Sequence, residues 1–259
     1  MLLALDIGNT EITVGLFRGA ELDEHWRLTT NPGRTPDEWG SAIGGFLLAA
    51  GRSPNEVRAV CLASVAPSIT QGLMAGIARV TGCNGVQINA RSPLPVALDV
   101  DEPLSVGADR IVNALAAVEL FRRDTVVVDF GTATTFDCVT AEGRFIGGVV
   151  MPGLRTAADQ LTQRTAKLPA TELRAPARVI GRRTEECIQA GVLYGAADAV
   201  DGLVRRIRAE WPGGRAPGVV ATGGLAPLVA PLCASIEATD PDLTLRGLHL
   251  AAGHLGLEW

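Results

Sequence analysis

Two short stretches of this sequence combine an acidic residue, a glycine and polar side chains at the end of an apolar run. In the first, LLALDIGNT, four apolar residues lead into Asp6, which is followed by Gly8, Asn9 and Thr10. A buried strand that ends in such a turn presents one carboxylate and several backbone N–H groups at the edge of a sheet. Backbone amides in a concave turn bind anions, and a carboxylate can hold a cation that bridges to phosphate. The alternative interpretation is a tight hairpin in which Asp6 only closes the turn.

The second stretch, TVVVDFGTATTFDCVT at residues 125–140, repeats this pattern. Asp129 aligns with Asp6, and Thr132 aligns with Asn9. The offset is 129 − 6 = 123 residues, which is close to half of the 259-residue chain. A repeat at this spacing predicts a duplicated architecture. We therefore expect two similar halves, with the two acid-bearing turns facing each other across a cleft.

A third stretch, Gly107-Ala108-Asp109-Arg110, lies where a proline-containing loop enters a predicted helix. A helix N-terminus attracts anions, and the planar guanidinium group of Arg110 suits a carboxylate or a phosphate. Asp109 can accept a proton from a substrate hydroxyl group, which requires only hydrogen-bond reach. The alternative is that Asp109 stabilises the helix dipole and pairs with Arg110 at the surface.

A glycine-rich turn, Thr222-Gly223-Gly224, follows a short apolar strand and precedes a predicted helix. Glycines at such a position let a phosphate or a flat ring approach the backbone closely, although the pair alone is weak support for a site. The basic residues are nearly all arginine, and the only lysine is Lys167, in AKLP. The chain therefore has no Walker A loop. The charge of a bound nucleotide triphosphate would have to be met by backbone amides, hydroxyl groups, arginines and cations.

Composition excludes several classes of protein. Apolar residues make up 47% of the chain, charged residues 20%, and the formal net charge is −5. This is typical of a soluble, acidic protein without a nucleic-acid partner. The sequence has no basic leader and no apolar run of membrane-spanning length, so we expect a cytoplasmic protein without a membrane partner. The five cysteines are scattered without a CxxC pair, and the three histidines do not have the spacing of a zinc site.

The predicted elements place these stretches at the ends of strands and at the start of a helix. A trio of strands followed by helix–strand alternation occurs twice, which predicts an α/β fold of two similar halves. Residues 90–106, with three prolines, are expected to form a loop. Strands are predicted at 2–6, 11–17, 21–29, 58–65, 86–88, 125–129, 134–140, 144–150 and 219–221, and helices at 35–50, 68–80, 107–121, 185–210, 225–233 and 248–257, with one more helix after residue 153.

The motifs taken together resemble those of the type III pantothenate kinases, in the superfamily of acetate kinase, sugar kinases, Hsp70 and actin. The matching segments are DIGNT at 6–10, GADRI at 107–111, DFGTATT at 129–135 and TGG at 222–224, in this order along the chain. The resemblance implies two ribonuclease H-like (actin-like ATPase) halves, each a mixed sheet with flanking helices, with an ATP cleft between them. The implied halves are residues 1–120 and 121–259.

The resemblance also implies an activity, which is the ATP-dependent phosphorylation of pantothenate to 4'-phosphopantothenate, the first step of coenzyme A biosynthesis. It implies a homodimer, Mg²⁺ bound with ATP near Asp6, and a monovalent cation, K⁺ or NH₄⁺, at Asp129. The implied catalytic base is Asp109. The residues implied for ATP and its phosphates are Asp6, Ile7, Gly8, Asn9, Thr10, Glu11, Ile12, Thr13, Thr132 and Gly223. Those implied for pantothenate are Gly107, Ala108, Asp109, Arg110, Thr184 and Val100.

Some positions depart from the family pattern. Val100 lies in the loop where this family commonly has an aromatic residue, and Arg183 precedes Thr184 where asparagine is usual. The loop before Pro152-Gly153 carries bulky residues at 149–151.

Two other functions fit the same motifs. One is a kinase for another small hydroxy acid or for a sugar, and the other is a nucleotide-binding regulatory protein without turnover. The presence of Asp6, Asp109 and Asp129 favours an enzyme.

Overall fold

The chain forms two compact units, and the computed structural model describes all of its residues, 1–259. The first unit comprises Met1–Ala116 and Thr244–Trp259, and the second comprises Ala117–Leu243. None of the helices combines the length and the apolar character that are needed to span a lipid bilayer.

The first unit contains a mixed sheet that is buried on both faces. Its strands are β1 (Leu2–Ile7), β2 (Glu11–Arg18), β3 (Glu21–Thr29), β4 (Ala59–Ser64) and β5 (Gly85–Gln87), in the spatial order β3-β2-β1-β4-β5. β1 is antiparallel to β2 and parallel to β4, β2 is antiparallel to β3, and β4 is parallel to β5. Leu3, Leu5 and Ile7 point into one core, and Leu2 and Ala4 into another. This two-sided burial explains why the sequence of β1 is almost continuously apolar.

Helices cover both faces of this sheet. The first core contains α1 (Pro36–Ala49) and α2 (Pro67–Thr81), and the second contains α3 (Ala108–Phe121). α1 begins with a capping box, because the Thr35 hydroxyl accepts from the Glu38 backbone nitrogen and the Glu38 carboxylate accepts from the Thr35 backbone nitrogen. A short strand, β6 (Ala97–Leu98), interrupts the segment that the prolines predicted to be a loop.

The second unit has a sheet that repeats the first. Its strands are β7 (Thr125–Phe130), β8 (Ala133–Val139), β9 (Arg144–Pro152), β10 (Gly218–Thr222) and β11 (Ala238–Thr239). They are ordered β11-β10-β7-β8-β9, with β7 antiparallel to β8, β8 antiparallel to β9, β7 parallel to β10, and β10 parallel to β11. The central strand, its two antiparallel neighbours and its two parallel neighbours therefore match those of the first unit. This confirms the predicted α/β fold of duplicated halves.

One core of the second unit lies under its long helix. The helices are α4 (Leu154–Arg164), α5 (Thr184–Glu210) and the short α6 (Ala226–Val229). Ile188, Leu193 and Val200 of α5 lie in one cluster with Phe130 and Phe136 of the sheet. The single helix predicted over 225–233 was wrong, because α6 gives way to a 3₁₀ turn at Ala230–Leu232. Pro231 has no N–H group to donate to the carbonyl of Pro227, so the α-helical hydrogen-bond ladder ends there.

The terminal helix, α7 (Leu243–His254), begins five residues earlier than the sequence predicted. Asp240 accepts from the backbone nitrogens of Asp242 and Leu243, and this turn sets the start of the helix. α7 belongs to the first unit, whereas the predicted division assigned everything after residue 120 to the second half. Its apolar side chains pack with those of β1 and α3, and Gly247 allows the backbone of α7 to lie against the carbonyl group of Val112. The division into halves at 120/121 stays a prediction about the duplication.

Candidate active site

The turn between β1 and β2 carries the first acid. Asp6 is the only residue of β1 that is not fully buried. The Gly8 nitrogen donates to the Glu11 carbonyl oxygen at 3.0 Å, and a Cβ atom at Gly8 would lie 2.8 Å from that oxygen. The hydroxyl of Thr30 donates to the Gly8 carbonyl at 2.7 Å. Glycine is therefore required for a compact turn that is anchored from β3.

The other residues predicted at this turn differ in what they can offer to a ligand. Asn9 and Thr10 are exposed. Ile7 and Ile12 are fully buried in the core, so their side chains are not available to a ligand. The Glu11 carboxylate lies 3.5 Å from the guanidinium group of Arg27. Thr13, half-buried, is the β2 partner of Asp6.

The turn between β7 and β8 places Asp129 in the same position as Asp6. Both β1 and β7 have four buried residues, then a half-buried acid, then a buried residue. Asp6 pairs with Thr13, seven positions later, whereas Asp129 pairs with Thr135, six positions later. The second turn is therefore one residue tighter than the first.

The carboxylate of Asp129 lies against the end of β10. A Cβ atom at Gly223 would collide with Oδ1 of Asp129, and Gly223 has a φ of +90° that side chains rarely adopt. Glycine at this position therefore gives the carboxylate its space. Thr222, the register partner of Asp129 on β10, is fully buried. The sequence assigned no role to Thr222.

Thr132 joins the same turn to the start of α4. Its carbonyl oxygen accepts from the Gly153 nitrogen at 3.1 Å and from the Thr156 hydroxyl at 2.7 Å. A Cβ atom at Gly153 would collide with the carbonyl oxygens of Gly131 and Thr132. Gly153, which directly follows β9, was not among the residues predicted for the site. The side chain of Thr132 is exposed.

Asp109 lies in the first turn of α3 and is half-buried. Its Oδ1 atom accepts from the Arg110 backbone nitrogen at 2.9 Å. Burial raises the pKa of the Asp109 carboxyl, while the Arg110 N–H group and the Arg110 charge partly offset that rise. A carboxylate with a raised pKa is a stronger base. The group is suited to accepting a proton.

The neighbours of Asp109 fix its position. A Cβ atom at Gly107 would lie 2.5 Å from Oδ1 of Asp109, so the carboxylate occupies the space that glycine leaves open. Ala108 is buried in the core beside β1. Arg110 and Val100 are half-buried, and Val100 lies just after β6.

Thr184 is the first residue of α5 and is exposed. It lies at an apolar groove of about 570 Å³ that is formed by α4, α5 and the end of β9. The preceding Arg183 pairs with Glu186 at 3.1 Å. The groove is lined by Met151, Leu154, Leu161, Ile188, Gly191 and Gly195, among others.

The predicted residues thus fall into two sets. Residues 6–13, Val100 and residues 107–110 lie in the first unit, and Asp129, Thr132, Thr184 and Gly223 lie in the second. Within the second unit Asp129 and Gly223 are in direct contact. The structure contains no group of three or more histidine, cysteine or acidic residues that could hold a metal ion by themselves.

Comparison with known proteins places this chain in a family. Residues 2–206 match the family model of the type III pantothenate kinases. A type III pantothenate kinase of Thermomicrobium roseum is 46% identical over 251 residues, which cover 97% of this chain and 96% of the relative. The chain belongs to the type III pantothenate kinase family.

Solved structures agree with the fold of a type III pantothenate kinase. A Campylobacter jejuni protein that is assigned to the Baf family of transcriptional activators superimposes with a TM-score of 0.59, at 19% identity, over 97% of each chain. A Porphyromonas gingivalis protein assigned as an N-acetylglucosamine kinase gives a TM-score of 0.53, at 13% identity, over 98% of this chain and 99% of that one. At these identities the likeness concerns the fold alone, which is the actin-like ATPase fold of duplicated halves.

Proposed function

We propose that this protein transfers the γ-phosphoryl group of ATP to pantothenate, giving 4'-phosphopantothenate and ADP, the first step of coenzyme A biosynthesis. Membership of the type III pantothenate kinase family over nearly the full chain supports this activity. The single structural observation that carries the mechanism is the half-buried carboxylate of Asp109 at the start of α3.

Asp109 acts as the general base in this proposal. The hydroxyl oxygen of pantothenate forms a bond to the γ-phosphorus, the bond from that phosphorus to the bridging oxygen of ADP breaks, and the hydroxyl proton passes to Asp109. Phosphoryl transfer needs positioning and charge stabilisation more than covalent help from the protein. Gly107 and the Arg110 N–H group hold the Asp109 carboxylate in one orientation.

In this proposal Arg110 makes the enzyme specific for pantothenate as the phosphate acceptor. A guanidinium group binds a carboxylate through two parallel hydrogen bonds, and pantothenate carries one carboxylate. Gly107, Ala108, Val100 and Thr184 complete the proposed pantothenate site. Val100 offers only an apolar contact at its position, so we expect pantothenate to be bound mainly through its polar ends.

ATP is bound in this proposal by the two acid-bearing turns. Asn9 and Thr10 offer exposed polar side chains for the phosphates, and residues 6–13 together are proposed to surround them. Thr132 and Gly223 are the other residues proposed for the nucleotide. Mg²⁺ enters with ATP and neutralises phosphate charge, and the half-buried Asp6 carboxylate suits it because Mg²⁺ prefers oxygen ligands.

A monovalent cation, K⁺ or NH₄⁺, is proposed at Asp129. The chain has a single lysine and no P-loop, so little lysine charge is available for the phosphates. Asp129 is a half-buried carboxylate, and carboxylate oxygens are donors that such cations accept. The cation would add positive charge close to the second turn.

We also propose a homodimer. The apolar groove between α4 and α5 supports it, because Gly191 and Gly195 are exposed on one face of α5 and Leu161 is exposed on α4. Exposed apolar surface of this kind marks an interaction site. Light scattering on Leu161→Glu tests the surface: a monomer is expected, and an unchanged dimer would exclude this groove as the interface.

The decisive test of function is ADP release with ATP, Mg²⁺ and K⁺, with and without pantothenate. Release that depends on pantothenate and is lost in Asp109→Asn is the expected result. A folded protein that binds ATP without pantothenate-dependent release would contradict the proposal. Parallel assays with sugars and with other small hydroxy acids then show whether a different acceptor is used.

A further inference from the structure

Thr222 carries a hydroxyl group without a hydrogen-bond partner. The residue is 0% exposed, and no protein atom lies within hydrogen-bonding geometry of its Oγ1 atom. Buried hydroxyl groups nearly always have a partner, because water is lost when they are buried. A water molecule or a ligand that is not part of the chain can supply that partner.

Thr222 is the neighbour of Asp129 on the adjacent strand. β10 and β7 are parallel, and Thr222 is opposite Asp129 in their register. Register partners on neighbouring strands project from the same face of a sheet. The Oδ1 atom of Asp129 is also directed at the end of β10, since it occupies the space where a side chain at Gly223 would lie. The carboxylate and the unpartnered hydroxyl therefore belong to paired residues on one face of the sheet, at the same end of two neighbouring strands.

The duplicated half lacks this hydroxyl. In the first unit the corresponding acid is Asp6, and its register partner on the parallel strand β4 is Ala63. The two acids are equivalent in strand position and burial pattern, and each has a threonine partner on the antiparallel strand, but only Asp129 has a hydroxyl at its partner position on the parallel strand. The second half therefore offers one more oxygen atom beside its acid than the first half does.

We propose that Oγ1 of Thr222 is a ligand of a monovalent cation, together with the carboxylate of Asp129. The inference rests on the proposed cation at Asp129 and adds a residue to it. A carboxylate with a neutral hydroxyl oxygen supplies little total charge, which suits a singly charged cation better than a divalent one. It also gives a reason to assign the proposed cation to the second turn and not to the first.

A second threonine provides a matched control. Thr134 is 1% exposed, and its Oγ1 atom also has no hydrogen-bond partner. Its register partner is Phe130, whose ring lies in the apolar core, so Thr134 projects from the face opposite to Asp129. Thr134→Val and Thr222→Val each remove one buried, unpartnered hydroxyl group, but only the second removes the proposed ligand.

The experiment measures cation binding without turnover. The melting temperature of the full-length protein with Mg²⁺ and ADP is followed against KCl at constant ionic strength, with choline chloride as the balancing salt. A ligand that binds the folded state raises the melting temperature in a concentration-dependent way. We expect Thr222→Val to need roughly tenfold more K⁺ than the wild type for the same rise. Thr134→Val is expected to follow the wild-type curve, and Thr222→Ser to stay close to it.

The outcomes separate this inference from the proposed function. An unchanged K⁺ curve for Thr222→Val, or an equal displacement for Thr134→Val, overturns the role of Thr222. If Thr222→Val does not fold, Thr222→Ser decides: a K⁺ curve unlike that of the wild type overturns the inference. No K⁺ response in the wild type, or an intact response in Asp129→Asn, overturns the cation site itself. Pantothenate-dependent ADP release by the wild type, measured alongside, would leave the kinase function standing in either case.

Discussion

The Oδ1 atom of Asp109 accepts a hydrogen bond of 2.9 Å from the backbone nitrogen of Arg110, the next residue in the chain. This contact stabilises the ionised carboxylate, as does the charge of the Arg110 side chain, whereas burial disfavours it and is the largest influence. The base of the proposed reaction is therefore held in a fixed orientation while its affinity for a proton is increased.

Replacing Asp109 with asparagine is predicted to lower the activity and to raise the stability of the protein. We expect Asp109→Asn to lower kcat by about 10²- to 10⁴-fold, which is the usual contribution of a general base. Its melting temperature should rise at neutral pH, because the ionised carboxylate is buried at a cost that the amide does not carry. ADP release and calorimetry on the same preparation measure both quantities.

The sign of this stability difference depends on pH. A carboxyl whose pKa is raised by folding stabilises the protein below its unfolded pKa of about 3.9 and loses that contribution as the pH rises through the folded pKa. The advantage of asparagine should therefore be largest at neutral pH and vanish toward pH 4. A lower melting temperature for Asp109→Asn at neutral pH would contradict the buried-carboxylate interpretation.

The pH profile of kcat/KM is predicted to report Asp109 directly. Activity should fall as the pH drops through the pKa of the base, and this acid limb should lie above the ordinary aspartate range because burial raises that pKa. Arg110→Gln removes a charge that lowers the pKa, so its acid limb should move further toward neutral pH. The weaker binding of pantothenate by this variant lowers kcat/KM at every pH, but it does not change the pH at which the acid limb lies.

Arg215→Gln is the control for this profile. Arg215 is exposed and lies in the second unit, outside the proposed site. Its acid limb should coincide with that of the wild type. An acid limb that stays in place when Arg110 is replaced would argue that another group controls the rate.

Gly107 is predicted to be a positioning residue for the base. A Cβ atom there would lie 2.5 Å from Oδ1 of Asp109, so Gly107→Ala must displace the carboxylate. A small displacement of a catalytic group strongly lowers the reaction rate, so we expect kcat to fall by roughly 10- to 100-fold. Gly45→Ala is the control, since its Cβ atom would meet nothing within 4 Å. If both variants keep wild-type kcat, the observed orientation of Asp109 is not the catalytic one.

Much of this fold could be predicted because the central strand of each unit has a strong local pattern. β1 and β7 are apolar runs that end in Asp-x-Gly, and a repeat of such a run at half-chain spacing leaves few alternatives. The start of α7 was missed although Asp240-Pro241-Asp242 is a helix-start signal, because Gly247 inside the helix resembles a break. Only the close contact of Gly247 with Val112, which joins segments far apart in sequence, explains that glycine.

The site was less predictable than the fold. Asp109, Asp129 and Gly223 could be proposed from motifs, because acids and glycines at strand and helix ends stand out in a sequence. The burial of Ile7 and Ile12, by contrast, depends on α1 and α2 packing over the sheet. Thr222 is an ordinary threonine at the end of an apolar strand, and its proximity to Asp129 follows only from the register of two strands that are distant in sequence.

Gly223→Ala is predicted to disrupt the turn that holds Asp129. The new Cβ atom would collide with neighbouring atoms, in addition to the backbone strain of a positive φ. Gly223 has a φ of +90°, and a Cβ atom would meet the Asp129 carboxylate and lie 2.8 Å from the backbone of Phe130. Gly19 has a φ of +59° and nothing within 4 Å of its Cβ position. In both variants alanine must adopt the positive φ of the glycine it replaces, which costs about 1–3 kcal/mol. Only Gly223→Ala also displaces the carboxylate of Asp129.

The two variants should differ in activity more than in stability. Each is expected to melt at a lower temperature, while only Gly223→Ala should need more K⁺ for half-maximal ADP release. Titrating KCl at fixed ATP, Mg²⁺ and pantothenate gives that concentration for both. Equal K⁺ requirements in the two variants would mean that the carboxylate of Asp129 does not have to stay beside Gly223, and the proposed cation would then have to bind through other oxygens of the turn.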